Sequence, residues 1–240
     1  MIKIENLVKA YNKNQVLKDV NLKLDSNKII AILGPNGSGK TTLIKSILGL
    51  VIPQKGDIIF NDQSIIGEWD YRKQISYLPQ IASFPENLKL SELISLVKDI
   101  RQQDAKDKDL IQMFELGNEL KKKLRNLSGG TRQKVNMVLS FMFDSPVIIL
   151  DEPTVGLDPV AISRFKELLQ SEKAKGKLII FTTHIMSLVE EISDEIIFLL
   201  EGDIYFQGSV QELINRNGST KLEGAITKLI ENNHVENIQI

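Results

Sequence analysis

Gly34-Pro35-Asn36-Gly37-Ser38-Gly39-Lys40-Thr41-Thr42 is the stretch on which the fold turns. The apolar run Ile29-Ile30-Ala31-Ile32-Leu33 precedes it, and a helix-forming segment, Thr41 to Leu48, follows. An apolar strand, a glycine-rich turn and a Lys-Thr pair opening a helix together spell a phosphate-cradling loop. Glycines allow a tight backbone whose successive N–H groups converge on an anion. The helix N-terminus adds unsatisfied donors and the positive end of its dipole. Lys40 is expected to reach the outer phosphates of a nucleoside triphosphate, and Thr41 to offer a hydroxyl to Mg²⁺. A glycine-rich turn on its own often binds nothing; the full string in this setting specifies a nucleotide site.

Upstream, Lys3-Ile4-Glu5-Asn6-Leu7 alternates apolar and polar, and Val16 to Leu24 alternates more clearly. Alternation predicts strands of a sheet with one wet face, hence antiparallel. Ile29 to Leu33 is continuously apolar and predicts a buried parallel strand, so two sheets meet near the loop. Tyr11 falls in the expected connection between the first two strands. It is a candidate for stacking on a base, or else an ordinary surface tyrosine.

Downstream, Asp57 to Phe60 and Ile75 to Leu78 read as short strands, the second ended by Pro79-Gln80. Residues 81–90, broken by Pro85, read as a loop. From Ser91 to Phe143 the pattern is helical, in segments 91–97, 109–116 and 130–143. Val147 to Leu150, Lys177 to Phe181 and Glu195 to Leu200 then alternate with helices over 159–175 and 186–192. That order predicts a parallel sheet. A turn at 201–203, a strand over 204–207 and short helices over 210–216 and 222–231 complete the chain. The expected fold is α/β with an antiparallel β subdomain and an inserted α-helical subdomain. Its core spans 1–84 and 146–215, the helical part about 85–145, and 216–240 forms a tail.

Composition narrows the partners. A net charge of −1 gives no general attraction to nucleic acid. The absence of cysteine excludes disulfides and thiolate metal sites, and two histidines are too few for a His-rich site. Met1 to Glu5 does not read as a signal peptide, and no apolar run approaches the roughly 20 residues a membrane span needs. Work at a membrane would require another chain to do the spanning. Trp69 and His234 read as surface or structural residues.

Two further motifs carry chemistry. The strand Val147 to Leu150 delivers Asp151-Glu152 to its carboxyl end, beside the phosphate loop of a doubly wound sheet. Asp151 is placed to serve Mg²⁺ through water, and Glu152 to polarise an attacking water. Leu127-Ser128-Gly129-Gly130 precedes a helix that Ser128 is suited to cap, with glycines freeing backbone amides. This is a second anion-seeking helix terminus in one chain, and it points to completing the site of another copy.

With these pieces in order, residues 1–215 resemble the ATP-binding subunit of ABC transporters. Gly34 to Thr42 resembles the family's Walker A motif, Gln80 its Q-loop and Leu127 to Gly130 its signature. Val147 to Glu152 resembles Walker B with the catalytic carboxylate. Gly156-Leu157-Asp158 resembles the D-loop, and His184 the switch histidine. Tyr11 stands where the family has an adenine-stacking aromatic. The resemblance implies a P-loop NTPase (RecA-like) core in which two cassettes sandwich two ATP molecules, each Walker A facing the other's signature. It assigns phosphate binding to Lys40 and the loop amides, and Mg²⁺ to Thr41, Gln80 and Asp151. Gln80 also senses the membrane subunit. Glu152 becomes the general base, His184 the γ-phosphate contact, and Asp158 the link between sites. It further implies an integral membrane permease as partner and a cytoplasmic position, peripheral on the inner membrane face. One departure is Thr131, where many members carry Gln or Glu; it touches only the start of that helix.

The short interval from Gln80 to Leu127 resembles the compact ATPases of ABC-2-type exporters. The strings at 77–80, 83–87, 131–134 and 151–159 are similar to the NosF-like ATPases of copper-processing exporters that serve nitrous-oxide reductase. Ile81, Phe84 and Leu88 are candidates to receive a helix of the permease, or simply to pack the joint between subdomains. DNA-repair and chromosome ATPases need a long insertion for which 80–127 leaves no room. Tandem translation factors need two cassettes, and a P-loop kinase has no use for 127–130.

Overall fold

The computed structural model describes residues 1–236, with side chains to 231, so His234 lies outside the described side chains and 237–240 outside the described residues. β1 (Ile2–Tyr11), β2 (Asn14–Leu24), β3 (Lys28–Leu33) and α1 (Lys40–Ile47) open the chain. β4 (Lys55–Phe60), β5 (Gln63–Ser64), a 3-10 turn over Asp70–Gln74 and β6 (Ile75–Leu78) follow. Then come α2 (Leu90–Arg101), α3 (Asp107–Met113) and α4 (Gly129–Phe141). The chain returns through β7 (Val147–Asp151), α5 (Pro159–Ala174), β8 (Leu178–Thr182), α6 (Met186–Ile192), β9 (Glu195–Leu200) and β10 (Asp203–Gly208). It closes with α7 (Val210–Arg216) and α8 (Leu222–Glu236).

Two sheets form, ordered β2-β1-β4-β5 and β10-β9-β3-β8-β7-β6. The first is antiparallel throughout, as alternation predicts: Leu17, Val20, Leu22 and Leu24 of β2 are buried while Asp19, Asn21 and Lys23 are exposed. In the second, β6, β7, β8, β3 and β9 run parallel, and β10 pairs antiparallel at the edge. Both faces of this sheet are covered, which is why its strands read as unbroken apolar runs. Ile29, Ala31 and Leu33 face one core, shared with the helices of 90–142 and with α5 and α6. Ile30 and Ile32 face the other, shared with α1 and the antiparallel sheet. Hence α1 is clamped between two sheets, and the carboxyl ends of β3, β6, β7 and β8 open beside its N-terminus.

The structure differs from expectation in small ways with clear reasons. Tyr11 is the last residue of β1 rather than a loop residue, because it pairs with Asn14 across a two-residue turn. β5 and the 3-10 turn were not foreseen; two residues and one turn are too short to display a period. α8 runs on to Glu236, beyond the expected 231.

Candidate functional site

Lys40 to Ile47 form a helix whose entry is a turn packed tightly on β9. At Gly34 the backbone has φ +150°, and a Cβ there would sit 2.0 Å from the carbonyl oxygen of Leu199. Only glycine fits that approach. Ser38 is buried beneath the turn, with no hydrogen-bond partner for its Oγ among the described residues. Lys40 reaches back across the loop, donating from Nζ to the carbonyls of Gly34 (2.6 Å) and Pro35 (3.0 Å). Burial pushes its ammonium below the usual lysine range, against the pull of Glu152 and Asp151. A desolvated cation at the N-terminus of a helix is suited to a polyanion.

Lys40 and part of this loop line a cleft of about 340 Å³. Asn36, Gly37, Gly39, Lys40, Thr41 and Thr42 form its floor, and Gln80, Asp151, Glu152 and His184 form the far wall. The far wall is built by adjacent parallel strands. Register pairs Asp151 with Thr182, and Thr182 Oγ1 donates to Asp151 Oδ1 at 2.6 Å. The Glu152 N–H donates to that same Thr182 oxygen at 3.0 Å. Glu152 takes a left-handed backbone (φ +50°), which turns its side chain out of the strand direction. His184 Nε2 lies 3.0 Å from Glu152 Oε1. Burial pushes the Glu152 carboxyl above its ordinary value; the His184 contact opposes this, the Asp151 charge adds to it, and Lys40 opposes it. A carboxylate of raised basicity beside an imidazole and a phosphate-seeking lysine is equipped to take a proton from water.

Of the expected site residues, Gly34, Pro35 and Ser38 belong to the loop without lining the cleft, and others lie elsewhere. Ser128, Gly129, Gly130 and Asp158 are not among the residues lining the cleft. Ser128 caps α4, accepting the Thr131 N–H at 3.2 Å, and its hydroxyl is 2.8 Å from that of Thr131. Asp158 caps α5 by accepting the Ala161 N–H at 2.8 Å and pairs with Lys134 at 2.7 Å. The Lys134 hydrogen bond holds its carboxyl below the usual range. Gly130 packs on the loop before α5: a Cβ would come 2.6 Å from the Gly156 carbonyl oxygen. Tyr11 is exposed with Lys9 Nζ 5.1 Å from its ring centre, and Asn14 and Val16, not Tyr11, line the cleft.

The match to the ABC transporter family profile covers residues 17–155, which is more than half of the chain. The chain belongs to the ABC transporter family. The cassette is 34% identical over 224 residues to the lantibiotic transport ATP-binding protein SrtF of Streptococcus pyogenes, across 90% of this chain and 96% of that one. A solved ATP-binding subunit of an ABC transporter superposes with TM-score 0.89 at 30% identity, covering 96% of this chain and 99% of that one. The dimeric structure of MJ0796, a bacterial ABC transporter cassette, shares the fold at TM-score 0.77 and 24% identity, over 87% and 98% of the two chains. The cassette is therefore an ATP-hydrolysing subunit, with an α/β P-loop core, an antiparallel sheet and a helical part. Among the described residues no helix is long and apolar enough to cross a membrane.

Sequence reading missed several residues of the cassette. Thr182 orients both acidic residues; its one signal was a hydroxyl at the carboxyl end of a buried strand, two residues before His184. Val155, Val160 and Ile185 are exposed apolar side chains, Val155 three residues after Glu152 and Ile185 next to His184 in the chain. Trp69 is also exposed, and lines a separate cleft with Ile52 and Ile66.

Proposed function

We propose that this cassette drives an ABC-2-type exporter by closing on a second cassette around ATP and passing that motion to a separate membrane permease. The carrying observation is the pair of anion-seeking helix starts in one chain. Lys40 lines the cleft, whereas Ser128 to Gly130 does not, so the signature turn is free to cap the cleft of another copy. Val155, three residues after Glu152, and Ile185, next to His184 in the chain, are exposed apolar side chains that suit a face covered in use. The dimeric MJ0796 cassette supports the same arrangement by its fold.

In this reading the loop amides and Lys40 hold the phosphates of ATP, while Tyr11 or the Asn14–Val16 segment meets the base. Thr41, Gln80 and Asp151 offer a hydroxyl, an amide oxygen and one carboxylate, a hard-oxygen set suited to Mg²⁺ held largely by phosphate and water. When bound, Mg²⁺ offsets charge on the phosphates. Glu152 accepts the proton of the attacking water, and His184 holds Glu152 and the γ-phosphate in line. Asp158 ties the signature side of one site to the carboxylate side of the other.

Binding and hydrolysis are tested together by titrating the purified chain with ATP. Lys40→Ala is expected to weaken ATP binding about 10- to 100-fold, the loss of a hydrogen-bonded charge on phosphate. Unchanged affinity would remove Lys40 from the site.

The permease is proposed to seat against the loop after Gln80. Phe84 and Leu88 pack partly into the core, while Ile81 is 82% exposed. Ile81→Glu is expected to abolish co-purification with a multi-span membrane protein at unchanged basal ATPase. Retained co-purification would move the contact elsewhere. Nucleic acid is not proposed as a partner, and the cassette is placed on the inner membrane face by its permease. The copper-processing reading rests on four similar strings; without Cys the cassette itself would not carry copper. Export of another cargo by its operon partners would end that narrower reading alone.

A further inference from the structure

Helix α4 carries a polar stripe that the reaction as described does not use. Gln133, Asn136 and Ser140 lie at i, i+3 and i+7, on one face of the helix. All three are buried, at 8%, 4% and 4% exposure. Gln133 and Asn136 each spend a side-chain amide donor on a backbone carbonyl outside the helix. Gln133 Nε2 donates to Pro153 O at 2.7 Å. Asn136 Nδ2 donates to Pro79 O at 3.2 Å, whereas Ser140 Oγ donates to Asn136 O of its own helix at 2.8 Å and lies 3.3 Å from Tyr77 O. Burying amides in a helix interior costs free energy unless their hydrogen bonds are made. Apolar side chains would fill the same space, so the polar choice is tied to what the bonds hold.

What they hold is specific. Pro79 is the residue before Gln80, and Pro153 the residue after Glu152. Neither proline has an N–H, so the carbonyl is each residue's one backbone hydrogen-bonding group. Their carbonyls are gripped instead by the helix whose N-cap is Ser128. Gly130 also lies against Gly156 of the same loop as Glu152.

We propose that Gln133 and Asn136 are positioning residues that keep the Gln80 and Glu152 loops in fixed register with the signature turn of their own chain. A displacement of the Ser128 to Gly130 turn, such as engagement by another cassette's nucleotide, is then carried rigidly to both hydrolysis residues. The inference rests on the roles proposed above for Gln80 and Glu152. Ser140 bonds within its own helix and toward the body of β6 rather than a loop, and serves as the comparator.

The test uses the full chain and two readouts. In steady-state ATP hydrolysis, Asn136→Ala is expected to lower kcat about tenfold with KM within about twofold, and Ser140→Ala to leave kcat within about twofold. In a Gln80→Ala background, Asn136→Ala is expected to add less than about twofold, because its target is gone. Independent multiplication of the two losses, or an equal kcat loss in Ser140→Ala, overturns the proposal. In hydrogen exchange without nucleotide, Asn136→Ala is expected to speed exchange of the amides of 80–83 at least tenfold. Gln133→Ala should do the same for 154–156, each variant leaving the other loop unchanged. Unchanged exchange at the gripped loop overturns the proposal even in a chain that hydrolyses no ATP. Absent hydrolysis in the unsubstituted chain would instead count against the proposed function. Asn136→Asp, which keeps the shape and removes the donor, is read identically should the alanine variant fold poorly.

Discussion

Glu152→Gln is expected to cut ATP turnover by about 10²- to 10⁴-fold, the usual contribution of a positioned general base. Gln keeps the volume and can still meet His184 Nε2, whose distance to Glu152 Oε1 is 3.0 Å. It also removes a negative charge from the side of Asp151, so ATP should bind at least as well as before. Binding without turnover then holds ATP between cassettes. Light scattering with Mg²⁺-ATP should report a stable dimer of the variant, and a monomer with ADP. A variant that stays monomeric with ATP would refute the shared-site arrangement. A variant that keeps more than about a tenth of the rate would move the general base elsewhere.

The second large effect is on stability, at the opposite end of the sheet. Lys177 precedes β8 and is 6% exposed. Its ammonium pairs with Glu172 of α5, itself 5% exposed, and with Asp144 at 2.7 Å. Burial pushes the Lys177 ammonium down, but hydrogen bonds to Asp144 and Glu172 outweigh it and hold it above the usual lysine value. Burial likewise pushes Glu172 up, and hydrogen bonds from Lys175 and Lys177 outweigh that and hold it low. Lys177→Ala leaves the buried Glu172 carboxylate with only the half-exposed Lys175 as a cation partner and is expected to cost about 3 kcal/mol. For a domain of this size that lowers Tm by roughly 6–12 °C. Replacing both partners together, Lys177→Met with Glu172→Leu, should recover most of the loss, because two matched apolar groups need no partner. A thermal melt of the three chains decides between these outcomes.

The pH dependence of the pair has a definite sign. The depressed Glu172 group stabilises the fold fully above its unfolded value, near 4.3, and that stability is lost as pH falls through the lower folded value. The raised Lys177 group contributes fully below about 10.4, and its share is lost as pH rises through the higher folded value. Between these limits the contribution is flat, and the Lys177→Ala difference in Tm should shrink only at the acid and alkaline extremes.

The central sheet and the cleft were legible because each rests on a local pattern. Buried strands announce themselves as unbroken apolar runs, and the turn at Gly34 to Thr42 carries its chemistry in consecutive residues. Asp151, Glu152 and His184 were legible because they follow such strands directly. Thr182, Gln133 and Asn136 were not. Their importance lies in a hydrogen bond to a residue 20 to 57 positions away, and no period or spacing along the chain marks such a partner. Tyr11 was placed one residue off because a two-residue turn is shorter than the window needed to separate strand from loop. The exposed Val155, Val160 and Ile185 were invisible for another reason: apolar residues in a sequence read as core until a surface proves otherwise.

The left-handed backbone of Glu152 has a consequence for anyone evolving this protein. A residue with a Cβ pays of order 1 kcal/mol to hold φ +50°, a cost glycine avoids and asparagine lessens. The same position carries a buried carboxyl group next to another carboxylate. Selection for thermal robustness alone would therefore favour replacing Glu152 and, given the role proposed for it, would enrich sturdy chains that bind ATP and turn it over slowly. Turnover has to be selected alongside heat resistance, or the improved protein will be a dead one.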